Sequence, residues 1–178
     1  ILYYAGATPY CVDTLSRMPL WYACERGSVE CVAFLCSVTP PEYMLYGDDN
    51  GDTPLHIAAS KGYAQCVELL CQWMSGVDDL YVTNKKGQHA AHIASNSNVL
   101  KCLYENGADL WTQDSKGRYP LFVCSLLGYT DCVCFLLDVG TTSGKWTCIE
   151  SGDFQGDTAL HAACLTGRLQ VVSLLLFF

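Results

Sequence analysis

Hydrophobic residues in this 178-residue chain recur in short bursts at helical spacing, separated by polar turns that carry glycine. The stretch GDTPLHIAASKG, residues 51–62, shows the unit at its clearest. Ahead of it, Asp49, Asn50, Gly51 and Asp52 are turn residues: Asx side chains bond nearby backbone, and glycine takes positive φ. Thr53 is placed to cap a helix whose first residue is Pro54, where the missing N–H costs nothing and φ is already set. Ala58 and Ala59 give that helix a slim face, and Gly62 ends it in a left-handed turn. A second helix follows in AQCVELLC, with Cys66, Val67, Leu69 and Leu70 at helical period. A first helix of about eight residues is not stable alone, so it must stack on a neighbour.

The pattern returns along the chain. SRMPLWYACERG covers 16–27, GRYPLFVCSLLG covers 117–128, and GDTALHAACLTG covers 156–167. A further copy, GQHAAHIAS from Gly87, is damaged at its end. The aligned Pro or Ala positions are 19, 54, 90, 120 and 159, spaced by 35, 36, 30 and 39 residues. The third copy lacks about three residues and its helix-ending glycine, so its first helix is expected to be cut short or its connection irregular. The fourth has Tyr119 and Phe122 where Thr and His are usual, so its local hydrogen bonds must be made differently. The segments SVTPPEYMLYG, MSGVDDLYVT and TTSGKWTCIESGD are extensions, expected to lengthen the turns between copies.

Thr53-Pro54-Leu55-His56-Ile57-Ala58-Ala59, with Gly62 and the apolar helix behind it, closely resembles the ankyrin-repeat signature. Asp157-Thr158-Ala159-Leu160-His161-Ala162-Ala163 with Gly167 matches nearly as well, and the resemblance covers essentially the whole chain. It implies an all-α ankyrin-repeat solenoid of helix-turn-helix units with β-turn fingers. The boundaries read as the end of a preceding repeat in 1–12, then repeats at 13–47, 48–83, 84–113 (shortened), 114–152 (with the long insertion) and 153–178 (truncated). RLQVVSLLLFF breaks off inside a second helix, so the array is expected to extend beyond this chain. The resemblance also implies that His56, His92 and His161 bond backbone between neighbouring turns, a structural role.

Composition narrows the function. Hydrophobic residues make up 51% of the chain, enough for a substantial core, and no stretch is long and apolar enough to insert in a membrane. The N-terminus has no basic region and no cleavage-like site, so it does not read as a signal peptide. A formal charge of −8 argues against non-specific nucleic-acid binding, whose affinity comes largely from phosphate neutralisation.

Twelve cysteines remain to be placed. Cys31, Cys66 and Cys132 share one register in three second helices, Cys36 and Cys71 another, and Cys24 and Cys164 a third in the first helix. Recurrence in register is the behaviour of a small buried hydrophobe. Cysteine stays below the ~8–10% that marks a secreted disulfide scaffold. These thiols read as reduced, in an intracellular, cytoplasmic protein, with Cys148 in the long insertion the candidate exposed thiol. Cys132 and Cys134 face different directions on a helix and make a weak metal pair. A His161–Cys164 catalytic pair rests on helical spacing alone. With no phosphate loop, metalloprotease helix motif or nucleophile elbow, the chain reads as non-enzymatic and without cofactor.

The ankyrin resemblance places turn tips and first-helix ends on a concave face that recognises protein. On this chain those positions include Asp49 and Asp52; Lys85 and Lys86; Lys116, Arg118, Leu126 and Leu127; and Phe154 and Leu165. Exposed Leu and Phe beside a basic strip make an anchoring patch for a partner segment with apolar anchors and acidic residues. The rival for the leucines is that the insertion at 141–152, with Trp146 and Ile149, folds down over them. For function, the first reading is a scaffold or adaptor that binds a partner protein. The alternative is a regulatory or substrate-docking segment of a larger signalling enzyme, such as a kinase, ubiquitin ligase or GTPase-activating protein. A third reading makes the cysteines a metal or redox sensor.

Overall fold

A computed structural model describes residues 6, 8–74 and 76–178, with all side chains among them except those of Val77 and Trp146. The reading of 2–8 as the tail of an earlier repeat rests on residues 2–5 and 7, which lie outside the described residues, as does the Trp146 side chain. Among the described residues the elements are all helical: α1 (Pro19–Arg26), α2 (Val29–Val38), α3 (Pro54–Lys61), α4 (Ala64–Trp73), α5 (Ser97–Glu105), α6 (Pro120–Leu127), α7 (Thr130–Thr142), α8 (Trp146–Glu150), α9 (Ala159–Leu165) and α10 (Leu169–Phe177).

First helices stack on first helices and second on second. The inner layer runs α1, α3, the 3-10 turn Ala90–His92, α6 and α9, and the outer layer runs α2, α4, α5, α7 and α10. The inner row is slim where alanines pack: Ala23, Ala58 and Ala163 share a register and are buried. Behind them Leu20, Leu55 and Leu121, then Val32, Val67 and Val133, fill one continuous core. Gly62 shows why the punctuation is glycine. Its φ is +80°, and the Asn96 and Ser95 side chains of the next repeat close on the space a Cβ would need. Asn96 Nδ2 donates to the Gly62 carbonyl (2.9 Å) while Asn96 Oδ1 caps α5 through Val99 N–H (3.0 Å).

That double contact accommodates the shortened third repeat. Its first helix is reduced to the single 3-10 turn Ala90–His92, as the missing residues require. Ser95 N–H then bonds back to the Ala59 carbonyl (3.2 Å), so the lost turn is replaced by cross-repeat hydrogen bonds.

The extensions behave differently from expectation. They do not lengthen the fingers; the first two form the 3-10 turns Pro41–Leu45 and Val77–Tyr81, because Met44 and Leu80 are buried and pull the chain onto the core. The long insertion extends α7 to 13 residues and folds α8 back on it. Ile149 and Trp111 close on Gly140 there, and Leu127 stays 42% exposed, so the insertion does not cover it.

The thiols also need correcting. Cys66 and Cys132 are buried, but Cys31 in the same register is exposed. This register faces the preceding repeat: Cys132 Sγ lies 3.8 Å from the Ala94 carbonyl, and no described element covers α2 on that side. Cys24 is buried and Cys164, its counterpart on α9, is exposed because its register faces a following repeat. Cys148 is half-buried rather than open.

Candidate functional site

Five turn fingers share one construction. The side-chain oxygen of Asp13, Asp48, Asn84, Asp114 or Asp153 accepts from the backbone N–H groups two and four residues later, at 2.8–3.1 Å. Each finger is joined to the one before it by a single backbone bond: Asp49 N–H to Leu15 O, Lys85 to Asn50, Ser115 to Lys86 and Phe154 to Lys116, at 2.9–3.1 Å. A histidine ladder runs beneath. His56 Nε2–H donates to the Gln88 carbonyl (2.8 Å) and His92 Nε2–H to the Arg118 carbonyl (3.0 Å). A carbonyl only accepts, which fixes the proton on Nε2 and leaves Nδ1 free to accept from the Thr53 or His89 N–H. Burial disfavours the imidazolium in both rings, lowering the His56 pKa and taking that of His92 down to about 4.

This framework decides which candidate side chains remain free. Asp49 Oδ1 accepts from Ser16 Oγ (2.7 Å) and Asp52 Oδ1 from Asn84 Nδ2 (2.8 Å), so both carboxylates bond inside the array. Arg118 is held by Asp114 through Nε and Nη2 at 2.9 and 2.6 Å and lies over the Phe122 ring. Burial alone would raise the Asp114 pKa; Arg118 and the Arg118 and Lys116 N–H groups outweigh it and hold the carboxylate below its ordinary range. Lys85, Lys86 and Lys116 stand exposed on adjacent finger tips, and among the described residues none of them forms an ion pair.

The apolar candidates divide in the same way. Leu126 and Leu165 line one groove of about 480 Å³ between α6 and α9, together with Phe122, Leu160, His161 and Cys164. Asp157 also lines it. Leu165 is 83% exposed, Leu160 is half-buried and Cys164 is exposed where Leu55 and Ala59 in the same registers are buried. Leu127 and Phe154 do not line this groove. The Phe154 ring lies over Gly117, which has φ +78° and whose missing side chain makes room for it, with the ring still 74% exposed. His161 Nδ1 is bound by Thr158 N–H and Oγ1 (3.2 and 2.9 Å), and among the described residues no hydrogen bond links it to Cys164. No cluster of three or more His, Cys, Asp or Glu suited to a metal occurs among the described residues.

A family model for ankyrin repeats in three copies matches residues 1–84 and 88–177. The chain belongs to the ankyrin-repeat family. The ankyrin array is also 30% identical over 127 residues to NF-kappa-B inhibitor zeta of Mus musculus, covering 70% of this chain and 17% of that protein. It is 31% identical over 127 residues to Target of rapamycin complex 2 subunit AVO2 of Saccharomyces cerevisiae, covering 70% of this chain and 29% of that protein. A third relative is the B-cell lymphoma 3 protein homolog of Mus musculus, 32% identical over 133 residues, covering 72% of this chain and 29% of that protein. The chain therefore spans less than a third of the length of these relatives. Among the described residues, no helix of the ankyrin array is long and apolar enough to cross a membrane.

Two features of the site escaped the sequence. Phe122 replaces the ladder histidine in the fourth repeat and becomes a wall of the groove. Leu160 joins it because nothing described packs on the far side of α9; its register is that of buried Leu20, Leu55 and Leu121.

Proposed function

We propose that this ankyrin array is a non-enzymatic module that binds a partner protein in the reducing interior of the cell. The partner inserts apolar side chains between α6 and α9 and sets acidic residues against Lys85, Lys86 and Lys116. The observation that carries this reading is the groove itself: apolar residues from two adjacent first helices, with Leu165 exposed, in an array whose third and fourth fingers carry three exposed lysines that form no ion pair among the described residues. Apolar anchors supply affinity there, and the lysines supply orientation and rate of encounter. Asp49, Asp52 and Arg118 support the fingers and do not contact the partner. The relatives are by name an inhibitor and a complex subunit, which favours an adaptor or regulator over a docking segment of an enzyme.

Site-resolved photo-crosslinking tests this. A benzophenone amino acid is placed in the full-length protein at Leu126 or Leu165, which line the groove, and at Tyr104 on an outer helix. Crosslinks to one defined protein from 126 and 165, and none from 104, support the reading. Crosslinks from 104 alone reject it.

A further inference from the structure

The fifth repeat repeats a polar pair that the second repeat uses to hold its neighbour. Asp157 and His161 stand where Asp52 and His56 stand in the second repeat. At the joint between the second and third repeats, Asp52 Oδ1 accepts from Asn84 Nδ2 (2.8 Å) and His56 Nε2–H donates to the Gln88 carbonyl (2.8 Å). Donor and acceptor come from one turn, Asn84-Lys85-Lys86-Gly87-Gln88. Asn84 Oδ1 holds that turn by accepting from the Lys86 and Gln88 N–H groups (2.9 and 3.1 Å), which leaves its amide to reach back to Asp52.

In the fifth repeat the same two groups have no such neighbour. Thr158 N–H donates to His161 Nδ1 (3.2 Å), so in the neutral ring the proton sits on Nε2. Among the described residues that Nε2–H has no acceptor, and the exposed Asp157 carboxylate has neither a hydrogen bond nor an ion pair. Both residues line the α6–α9 groove with Leu160 and Leu165. The groove thus sets one acceptor and one donor beside an apolar wall, and in the second repeat a single turn satisfies that same pair. A second copy of this chain does not supply the turn. Its first finger leads with Asp13, whose carboxylate is tied to Arg17 and Tyr22 and would stand against that of Asp157. The polar pattern selects for a segment that leads with an amide.

On the reading that the groove binds a partner protein, we propose that the partner segment seats there as a turn of the form Asn-x-x-Gly-x. Its Asn side-chain amide donates to the Asp157 carboxylate, and the main-chain carbonyl four residues on accepts from His161 Nε2–H. The apolar residues that follow the turn pack on Leu160 and Leu165. The same order, polar turn and then apolar residues, buries Leu55 behind Asp52 and His56 in the second repeat. Asp157 and His161 therefore determine specificity, because a segment without the turn desolvates both and pairs neither. An acidic residue in place of the Asn is repelled by Asp157, so the acidic residues that suit the lysine fingers lie elsewhere in the segment.

The test uses the full chain, with peptides from a displayed library of random linear sequences as probes. Peptides selected on the wild type are first sorted by Leu165→Asp, since those that lose affinity there occupy the groove. Among these, Asn followed three residues later by Gly should be the enriched pattern. By fluorescence anisotropy, Asp157→Ala and His161→Phe should each weaken them about tenfold or more, the order expected when a bond to a charged group, or to a desolvated carbonyl, is lost. Replacing the peptide's Asn by Ala should cost as much on the wild type and nothing further on Asp157→Ala. Phe122 already holds the His161 position in the fourth repeat, and the Asp157 carboxylate supports nothing among the described residues, so both variants keep the fold. The change in the peptide needs no protein variant at all. Groove-binding peptides that lack the Asn-x-x-Gly pattern, or whose affinities are unmoved by Asp157→Ala and His161→Phe, overturn this inference alone. Peptides that are all indifferent to Leu165→Asp overturn it together with the reading it rests on.

Discussion

Acidification should loosen this array through His92, and the amount follows from its surroundings. His92 is fully buried, donates from Nε2 to the Arg118 carbonyl, and faces the His89 ring, Asp114 and Arg118. Its pKa falls from 6.5 to about 4 because burial, and then His89, disfavour the charged ring. The unfolded chain therefore binds the proton that the folded chain refuses between these two values. Stability contributed by neutral His92 is complete above pH 6.5 and is lost as pH falls toward 4. Between pH 7.5 and 5.5 the loss is about 1.4 kcal/mol, or tenfold in the folding equilibrium, from linkage at 1.36 kcal/mol per pKa unit. Asp13 and Asp114 do not confuse this window, since their lowered pKa values act below the ordinary carboxylate range. His56 adds to the loss in the same direction. Urea unfolding followed by circular dichroism at both pH values measures the difference, and pH 5.5 stays above the isoelectric point near 4.7. His92→Gln should be less stable at pH 7.5 by about 1–3 kcal/mol, from the buried bonds it removes. Its loss on acidification should be smaller than that of the wild type by about 1.4 kcal/mol. An equal loss in both proteins would refute the ladder argument.

Two further outcomes follow from the packing. Under native conditions a maleimide reagent should label Cys31 and Cys164 quickly and Cys66 and Cys132 only on unfolding; fast labelling of Cys66 would mean that the stacking register is wrong. Gly62→Ala should cost about 2–3 kcal/mol in chemical denaturation, combining left-handed backbone strain with displacement of the Asn96 bond, and a cost below 1 kcal/mol would show that the Asn96 contact is not rigid.

The repeat was legible because its punctuation is local chemistry. Pro54 and Gly62 bracket a helix by their own backbone preferences, and the same bracket at Pro19 and Gly27, and at Pro120 and Gly128, fixes the stacking unit. Registers were legible too, and they say which way a side chain faces. They do not say whether anything stands there, which is why Cys31 and Cys164 were misread as buried. Ser16 shows a second limit. It adopts φ +63° where the other fingers use glycine, held by its bond to Asp49, and nothing in SRMP announces that. Arg118 shows a third. The sequence displays a cation four residues after Asp114, but only the turn geometry brings the two together and withdraws Arg118 from the surface. Leu126 and Leu165 were readable as one patch because both end first helices. Phe154 joins that patch in the sequence through its place at a turn tip; its ring lies over Gly117 of the preceding finger and does not line the groove.

The central claim is that the α6–α9 groove and the finger lysines together bind protein, and peptide selection measures it most directly. Peptides from a displayed random library are selected on the full chain, and their affinities are read by fluorescence anisotropy against wild type, Leu165→Asp, and a Lys85→Glu, Lys86→Glu, Lys116→Glu variant. The account predicts peptides with apolar anchors flanked by Asp or Glu. Leu165→Asp, at a side chain open enough to spare the fold, should weaken them tenfold to a hundredfold, from ~1.5–3 kcal/mol for one buried leucine. The lysine variant should bind more weakly still at low salt and lose the salt dependence of the wild type. Selected peptides that lack this pattern, or that bind both variants as tightly as the wild type, would contradict the claim.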